Sequence, residues 1–291
     1  MSDRQIAFLA VFLGSLMGGA VTTATKIGLV SIPPLTFAFL RFFIASVIIL
    51  PLFFKKYNFS IKQLKKLIPF TLFATLNIIL FIVGIRTTTA TIGQLLYAGT
   101  PFITSLILFI LFNDRQSISK SIGIIVGFIG VAIVAFLPVL EQGKPFAGDL
   151  IGNLLIAGGV LSWSFYIVFS KKYSKDYSPF LINSVFILIT TIILFPIFIV
   201  DFWKNNEWIS IINFPSILSL GYVAIFGTII TYLLNQYAIK HGGSVFASMS
   251  FYLLPIFAFI AAFVLLSERL TLGLLIGGTL ALLGIYLSTR K

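Results

Sequence analysis

Ten uninterrupted apolar runs, at about 6–30, 35–54, 67–85, 91–112, 120–138, 149–169, 179–200, 216–237, 244–266 and 271–288, constrain this chain more than any other feature. A helix that crosses the hydrocarbon core of a bilayer needs about 20 apolar residues. Backbone groups in lipid must be satisfied within their own segment, which requires helices here. A β-barrel would show alternating strands of about ten residues instead. The expected fold is therefore an all-α membrane protein of ten transmembrane helices. Composition agrees, because only 10% of residues are charged, against roughly 25% in a soluble domain. The first run exceeds the roughly 7–15 residues of a signal-peptide core and reads as a retained span. Short connections carry the expected breakers, such as Ser31-Ile32-Pro33-Pro34, Asn113-Asp114 and Gly242-Gly243.

The net charge of +12 is a topology signal. Fourteen of the 20 Lys and Arg fall at the span ends shared with the N-terminus. Five (Lys26, Arg86, Lys144, Lys204 and Arg269) fall opposite, and Arg41 lies within span two. The positive-inside rule then places both termini in the cytoplasm of a multi-pass protein of the cell (inner) membrane. Nucleic-acid binding needs a basic stripe on a folded surface and is not expected.

Internal similarity comes next. A shift of 154 carries Pro101 onto Pro255, Asp114-Arg115 onto Glu268-Arg269, Gly123 onto Gly277, Gly130 onto Gly284 and Arg86 onto Lys240. Nearer the start of each half the shift is 145, carrying Lys26 onto Lys171 and Pro34 onto Pro179. Ordered matches at a constant offset indicate a duplication, with repeats at 1–140 and 147–291. Five spans per copy is an odd number, so the second copy must enter the membrane from the opposite side. Two inverted five-helix repeats place a site near the midplane, between halves able to rock against each other.

These residues resemble a family. Lys26 closing span one, Arg41 in Leu40-Arg41-Phe42-Phe43, and Asp114-Arg115 and Glu268-Arg269 ahead of Gly-rich fifth and tenth spans are similar to the EamA family of the drug/metabolite transporter superfamily, over essentially the whole chain. The resemblance implies a central cavity lined by the first, third, fourth, sixth, eighth and ninth helices. It also implies export or exchange of amino acids and similar metabolites. Two departures stand out: Met17-Gly18-Gly19-Ala20 replaces a Trp-Gly-polar stretch, and Asp114 stands where Glu is usual.

Polar side chains are expensive in hydrocarbon, so they face a cavity or another helix. Gln94, Tyr97 and Pro101 share a face of span four; Ser244, Ser248, Tyr252 and Pro255 of span nine; Thr228, Tyr232 and Asn235 of span eight. Span six offers Ser162, Trp163 and Tyr166, span three Asn77, and span one Thr22 and Thr25. The candidate substrate-binding set is Thr22, Asn77, Gln94, Tyr97, Trp163, Tyr166, Tyr232, Asn235, Ser248 and Tyr252. Such groups either orient and stack a ligand or hydrogen-bond helix to helix with no ligand present. Pro101 and Pro255 each remove a helix bond, freeing the carbonyls of Tyr97 and Phe251, as hinges or as plain packing kinks. Arg41, about 10 Å into its helix, either draws in a carboxylate or snorkels and caps carbonyls, the structural role being favoured. Gly14-xxx-Gly18, Gly123-xxx-Gly127 and Gly273-xxx-Gly277 permit close approach, inside the bundle or across a homodimer.

The chain has no Cys and one His, so no metal site is expected, and no Walker loop calls for ATP. No cofactor and no enzyme activity are expected. No Asp or Glu is expected within a span, which favours exchange or facilitated diffusion over a carboxylate proton relay. The function expected is a secondary transporter of small organic metabolites, with a non-transporting scaffold or a membrane-embedded enzyme as alternatives.

Overall fold

The computed structural model describes residues 1–56, 61–85, 87, 93, 96–142, 150–204, 206–266 and 272–289. Among them there is no strand. Apart from a single turn at Trp208–Ile211, the helices are α1 (Asp3–Gly28), α2 (Pro34–Lys56), α3 (Ile61–Gly84), α4 (Thr100–Phe112), α5 (Ile118–Gln142), α6 (Leu150–Tyr173) and α7 (Pro179–Lys204). They continue with α8 (Phe214–Gly242), α9 in two pieces (Ser244–Ser248 and Ser250–Leu266) and α10 (Leu272–Thr289). Six of these, α1, α2, α3, α6, α7 and α8, are long and apolar enough to cross a membrane. Shorter apolar stretches at 100–112, 118–133, 244–258 and 275–288 fall where spans four, five, nine and ten are expected.

Local chemistry sets the ends. Ser2 and Gln5 form a reciprocal capping box at the start of α1, and Pro34 and Pro179 open α2 and α7, where their missing N–H costs nothing. Asn113 closes α4 at φ 51°, and Gly243 turns α8 into α9 at φ 87°, conformations that Asn and Gly tolerate best.

Packing follows the seams between halves. At α5 and α10, an added Cβ on Gly123 would strike Ser288 and the Gly284 carbonyl, one on Gly130 the Ala281 backbone, and one on Gly284 the Gly127 backbone. These contacts run in opposite senses along the two helices, which are therefore antiparallel with backbones touching. Helices α2 and α7 are antiparallel too: Thr36 meets Asp201, Phe39 stacks on Phe198 at 4.4 Å, and Ser46 bonds Thr191 at 2.7 Å. Helix α3 lies on α6 through Ser162 to the Phe73 carbonyl (2.8 Å) and Asn77 to the Gly159 carbonyl (2.8 Å). Helix α1 lies on α8 through Ser216 to the Ile27 carbonyl (3.1 Å) and Ser219 to the Ala24 carbonyl. Gly18 and Gly19 let α1 approach Leu254 and Phe257 of α9. The small residues of α1 and α5 thus serve contacts within the chain.

Two expectations need correction here. Helix α7 runs four residues past the apolar run, so an acid does fall inside a span: Asp201 is buried and accepts a hydrogen bond from Thr36 at 2.8 Å. Pro101 is not a mid-helix kink. It sits in the first turn of α4, where proline breaks no intrahelical bond. The interruption is at Gly99, and the Tyr97 carbonyl, expected to be free, accepts the Thr100 hydroxyl. Pro255 lies inside the second piece of α9, whose own interruption is at Met249.

Candidate functional site

An aromatic cluster occupies the space between α2, α3, α6, α7, α8, α9 and the residues just before α4. Trp163 and Tyr166, one turn apart on α6, contact each other at 5.0 Å between ring centres. Trp163 reaches Tyr232 of α8 at 5.7 Å and Phe251 of α9 at 6.5 Å. Phe251 in turn touches Tyr97 at 5.2 Å. Phe186 of α7 closes the ring against Tyr232 at 5.1 Å and Tyr166 at 5.5 Å. Trp163 and Tyr166 are 5% and 1% exposed. Such rings prefer offset or edge-on contacts, and each contact adds only about 0.5–1.5 kcal/mol beyond burial.

The polar groups divide by what they bond. Asn77 donates to Tyr97 OH at 2.5 Å and to the Gly159 carbonyl at 2.8 Å, fixing both its hydrogens. Gln236 donates to Tyr166 OH at 2.7 Å and to Ser170 at 3.2 Å, while its Oε1 is buried without a partner. Arg41 Nη2 donates to Tyr232 OH at 2.9 Å, and its Nε is buried and unpartnered. Trp163 Nε1 is likewise buried with no acceptor. Buried polar atoms are nearly always paired, so each orphan asks for an explanation.

Five of the candidate residues are brought together: Asn77, Tyr97, Trp163, Tyr166 and Tyr232. Three are not. Asn235 faces α1 and α9, where with Ser15, Thr231 and Ser250 it lines a void of about 30 Å³. That void has room for a water or two, a use for its unpartnered Oδ1. Ser248 returns its hydroxyl to the Val245 carbonyl of its own helix. Tyr252 points at α5, donating to the Ile124 carbonyl at 2.8 Å with its ring over Gly127. The interruption at Met249 rephases α9, so Phe251 takes the inward position that spacing alone gives to Tyr252. Gln94, Glu268 and Arg269 lie outside the described residues, as do the side chains of Thr22 and Lys26. Other predicted polar groups act as helix-to-helix or intrahelical bonds: Ser162 to Phe73, Ser244 to the Ile167 carbonyl, Thr228 to the Val223 carbonyl.

Sequence reasoning missed Gln236, Phe251 and Phe186. Gln236 falls on the face of α8 beyond a π-helical stretch, Val223–Ile230. That stretch turns everything after it by about one residue, or roughly 100°. A phenylalanine among 32 carries no signal of its own.

Two surfaces flank the cluster. At the end shared with the N-terminus, His241 pairs with Asp3 at 2.7 Å and Lys171 donates to the Lys240 carbonyl at 2.7 Å. At the other end a cleft of about 380 Å³ is lined by residues 29–34 with Lys204, Glu207, Trp208 and Ile211. Pro34, at its edge, begins the helix that carries Arg41 two turns deeper.

Among the described residues no group of three or more His, Cys, Asp or Glu suited to a metal occurs, and none in the aromatic cluster pairs a nucleophile with a base. Hydrogen bonds and ring faces are what these side chains offer a ligand.

Comparison with known proteins places the chain among transporters. A solved crystal structure superposes with a TM-score of 0.77, covering 97% of this chain and 96% of the other at 17% identity, a likeness of fold. An uncharacterized transporter of Archaeoglobus fulgidus is 26% identical over 91% of both chains. The uncharacterized transporter YoaV of Bacillus subtilis is 24% identical, over 97% of this chain and 96% of its own. A WAT1-related protein of Arabidopsis thaliana is 25% identical over 95% of this chain and 89% of its own. The EamA-like transporter family model matches twice, at residues 5–136 and 150–290. With two matches that span nearly all of it, this chain belongs to the EamA-like transporter family, a multi-span membrane transporter.

Proposed function

We propose that the protein is a secondary carrier, an exporter or exchanger of small organic metabolites such as amino acids. It works by alternating access between two inverted five-helix repeats, 1–140 and 147–291. The observation that carries this reading is the aromatic cluster itself, which draws Asn77 and Tyr97 from the first half and Trp163, Tyr166, Tyr232 and Phe251 from the second. A site shared by both halves is remade whenever they rock. The rings touch one another and must part to admit a ligand, with the cleft beside Pro34 as the mouth on one side.

The pairing of helices supports the inversion. Exchanging each helix for its counterpart five places on turns α3 with α6 into α8 with α1, and α1 with α9 into α6 with α4. It leaves α2 with α7 and α5 with α10 unchanged. In both self-paired seams the counterparts run antiparallel, as copies of opposite orientation must. The interruptions at Gly99 and Met249, each near a proline, are places where such a bundle can bend. The basic residues at the N-terminal end favour an inner-membrane protein with both termini in the cytoplasm.

The test is uptake of labelled metabolites by purified protein in liposomes. Trp163→Ala and Tyr97→Ala each cut uptake to about a tenth or less, a loss of roughly 1.4 kcal/mol or more, while folded protein is still recovered. Wild-type uptake by both variants would remove the cluster from the transport path.

A further inference from the structure

Arg41 is a cation set within an apolar helix, and no carboxylate among the described residues pairs with it. Its Nη2 reaches the Tyr232 hydroxyl at 2.9 Å, its Cζ lies 4.9 Å from the Phe42 ring centre, and its Nε is buried with no partner. A phenol and a ring face soften the desolvation of a guanidinium without neutralising it. Arg41 is half-buried, and a guanidinium whose Nε is shut off from solvent with no counter-charge nearby is costly to hold.

A second orphan donor lies beside the same phenol. Trp163 packs its ring 5.7 Å from that of Tyr232 and leaves Nε1 with no acceptor. Tyr232 joins the two, accepting from Arg41 and keeping its own proton to donate. A cation without an anion, next to N–H and O–H donors without acceptors, is the negative image of a carboxylate, which accepts several hydrogen bonds on two oxygens. One guanidinium matches one negative charge; a phosphate dianion would remain half neutralised. The faces of Tyr97, Tyr166 and Phe251 would take a flat apolar body by stacking. Among the described residues no Asp or Glu stands in this cluster to receive an ammonium.

We propose that Arg41, Tyr232 and Trp163 form the anion-binding end of the substrate site, and that its ligand is an organic monocarboxylate with a flat apolar body. The assignment rests on the carrier reading and narrows it.

The experiment titrates the purified full chain with aromatic and aliphatic monocarboxylates, each beside its uncharged amide, and follows the same compounds into liposomes. 3-Phenylpropanoate is expected to bind at least tenfold tighter than 3-phenylpropanamide. Trp163→Phe and Tyr232→Phe each remove one donor and keep a ring, so each should weaken the acid about tenfold and leave the amide within twofold. Arg41→Gln should erase the preference, and Arg41→Lys should keep part of it. Equal binding of acids and amides across the series, or acid affinity unmoved in both ring-preserving variants, overturns the assignment. If neutral compounds are then still carried into liposomes, the carrier reading survives without it. If no compound of either kind is carried, the carrier reading fails and the assignment falls with it.

Discussion

The seam between α5 and α10 and the cluster around Trp163 are both buried, yet they are built on opposite principles. At the seam, glycines bring backbone against backbone, and no atom can be added without striking another chain segment. In the cluster, large rings meet tilted or edge to face and buried donors go without acceptors. Close packing of small residues leaves one arrangement and fixes it. Rings held by weak contacts, around groups whose bonding is incomplete, leave energy to be gained by rearrangement. A molecule that must hold together while opening its middle needs both, in different places.

Breaking the comparison starts with the seam. Gly284→Val places methyl groups where the Gly127 backbone lies, an overpacking that neither helix can relieve. Folded protein should be lost, or its melting temperature lowered by roughly 10 °C, in size-exclusion and thermal-shift measurements. A wild-type melting curve would show that the seam is not the fixed part.

The cluster should respond in function more than in stability. Arg41→Met replaces a half-buried cation that has no counter-charge with an apolar chain of similar length, a change that is often neutral or stabilising. Ligand-free protein should melt at the wild-type temperature or a few degrees above it, while acid binding is lost. A large drop in melting temperature would mean that Arg41 is structural after all. Tyr97→Phe removes only the hydroxyl that Asn77 bonds, so uptake should fall by about fivefold, the equivalent of the ~1 kcal/mol typical of a single neutral hydrogen bond. The smallest effect belongs to the rim. Asp3 is 78% exposed in its pair with His241, and such surface pairs contribute about 0–1 kcal/mol. His241→Gln should move the melting temperature by no more than about 2 °C.

Much of the fold was legible because lipid is an unforgiving solvent. Apolar runs locate the helices, which the structure places over those same stretches of the chain. The glycines that recur at a shift of 154 proved to be seam residues, since only glycine lets two backbones meet as they do at Gly130 and Gly284. The site was legible only in part. Trp163, Tyr166, Tyr232, Tyr97 and Asn77 could be named because few side chains of that size and polarity occur within the spans. Tyr252 and Ser248 could not be separated from them by spacing, because regular periodicity assumes an unbroken helix and α9 breaks at Met249.

By itself, then, the sequence determined which segments are helical and which side chains are costly to bury, since both follow from the free energy of placing single groups in hydrocarbon. Which costly groups meet was decided by the tertiary structure alone. A turn at Met249, a π-helical stretch at Val223–Ile230 and the extra turn of α7 that buries Asp201 each rotate or shift a face by a fraction of a helical turn. Such shifts leave the apolar pattern almost unchanged while changing every partner across the bundle.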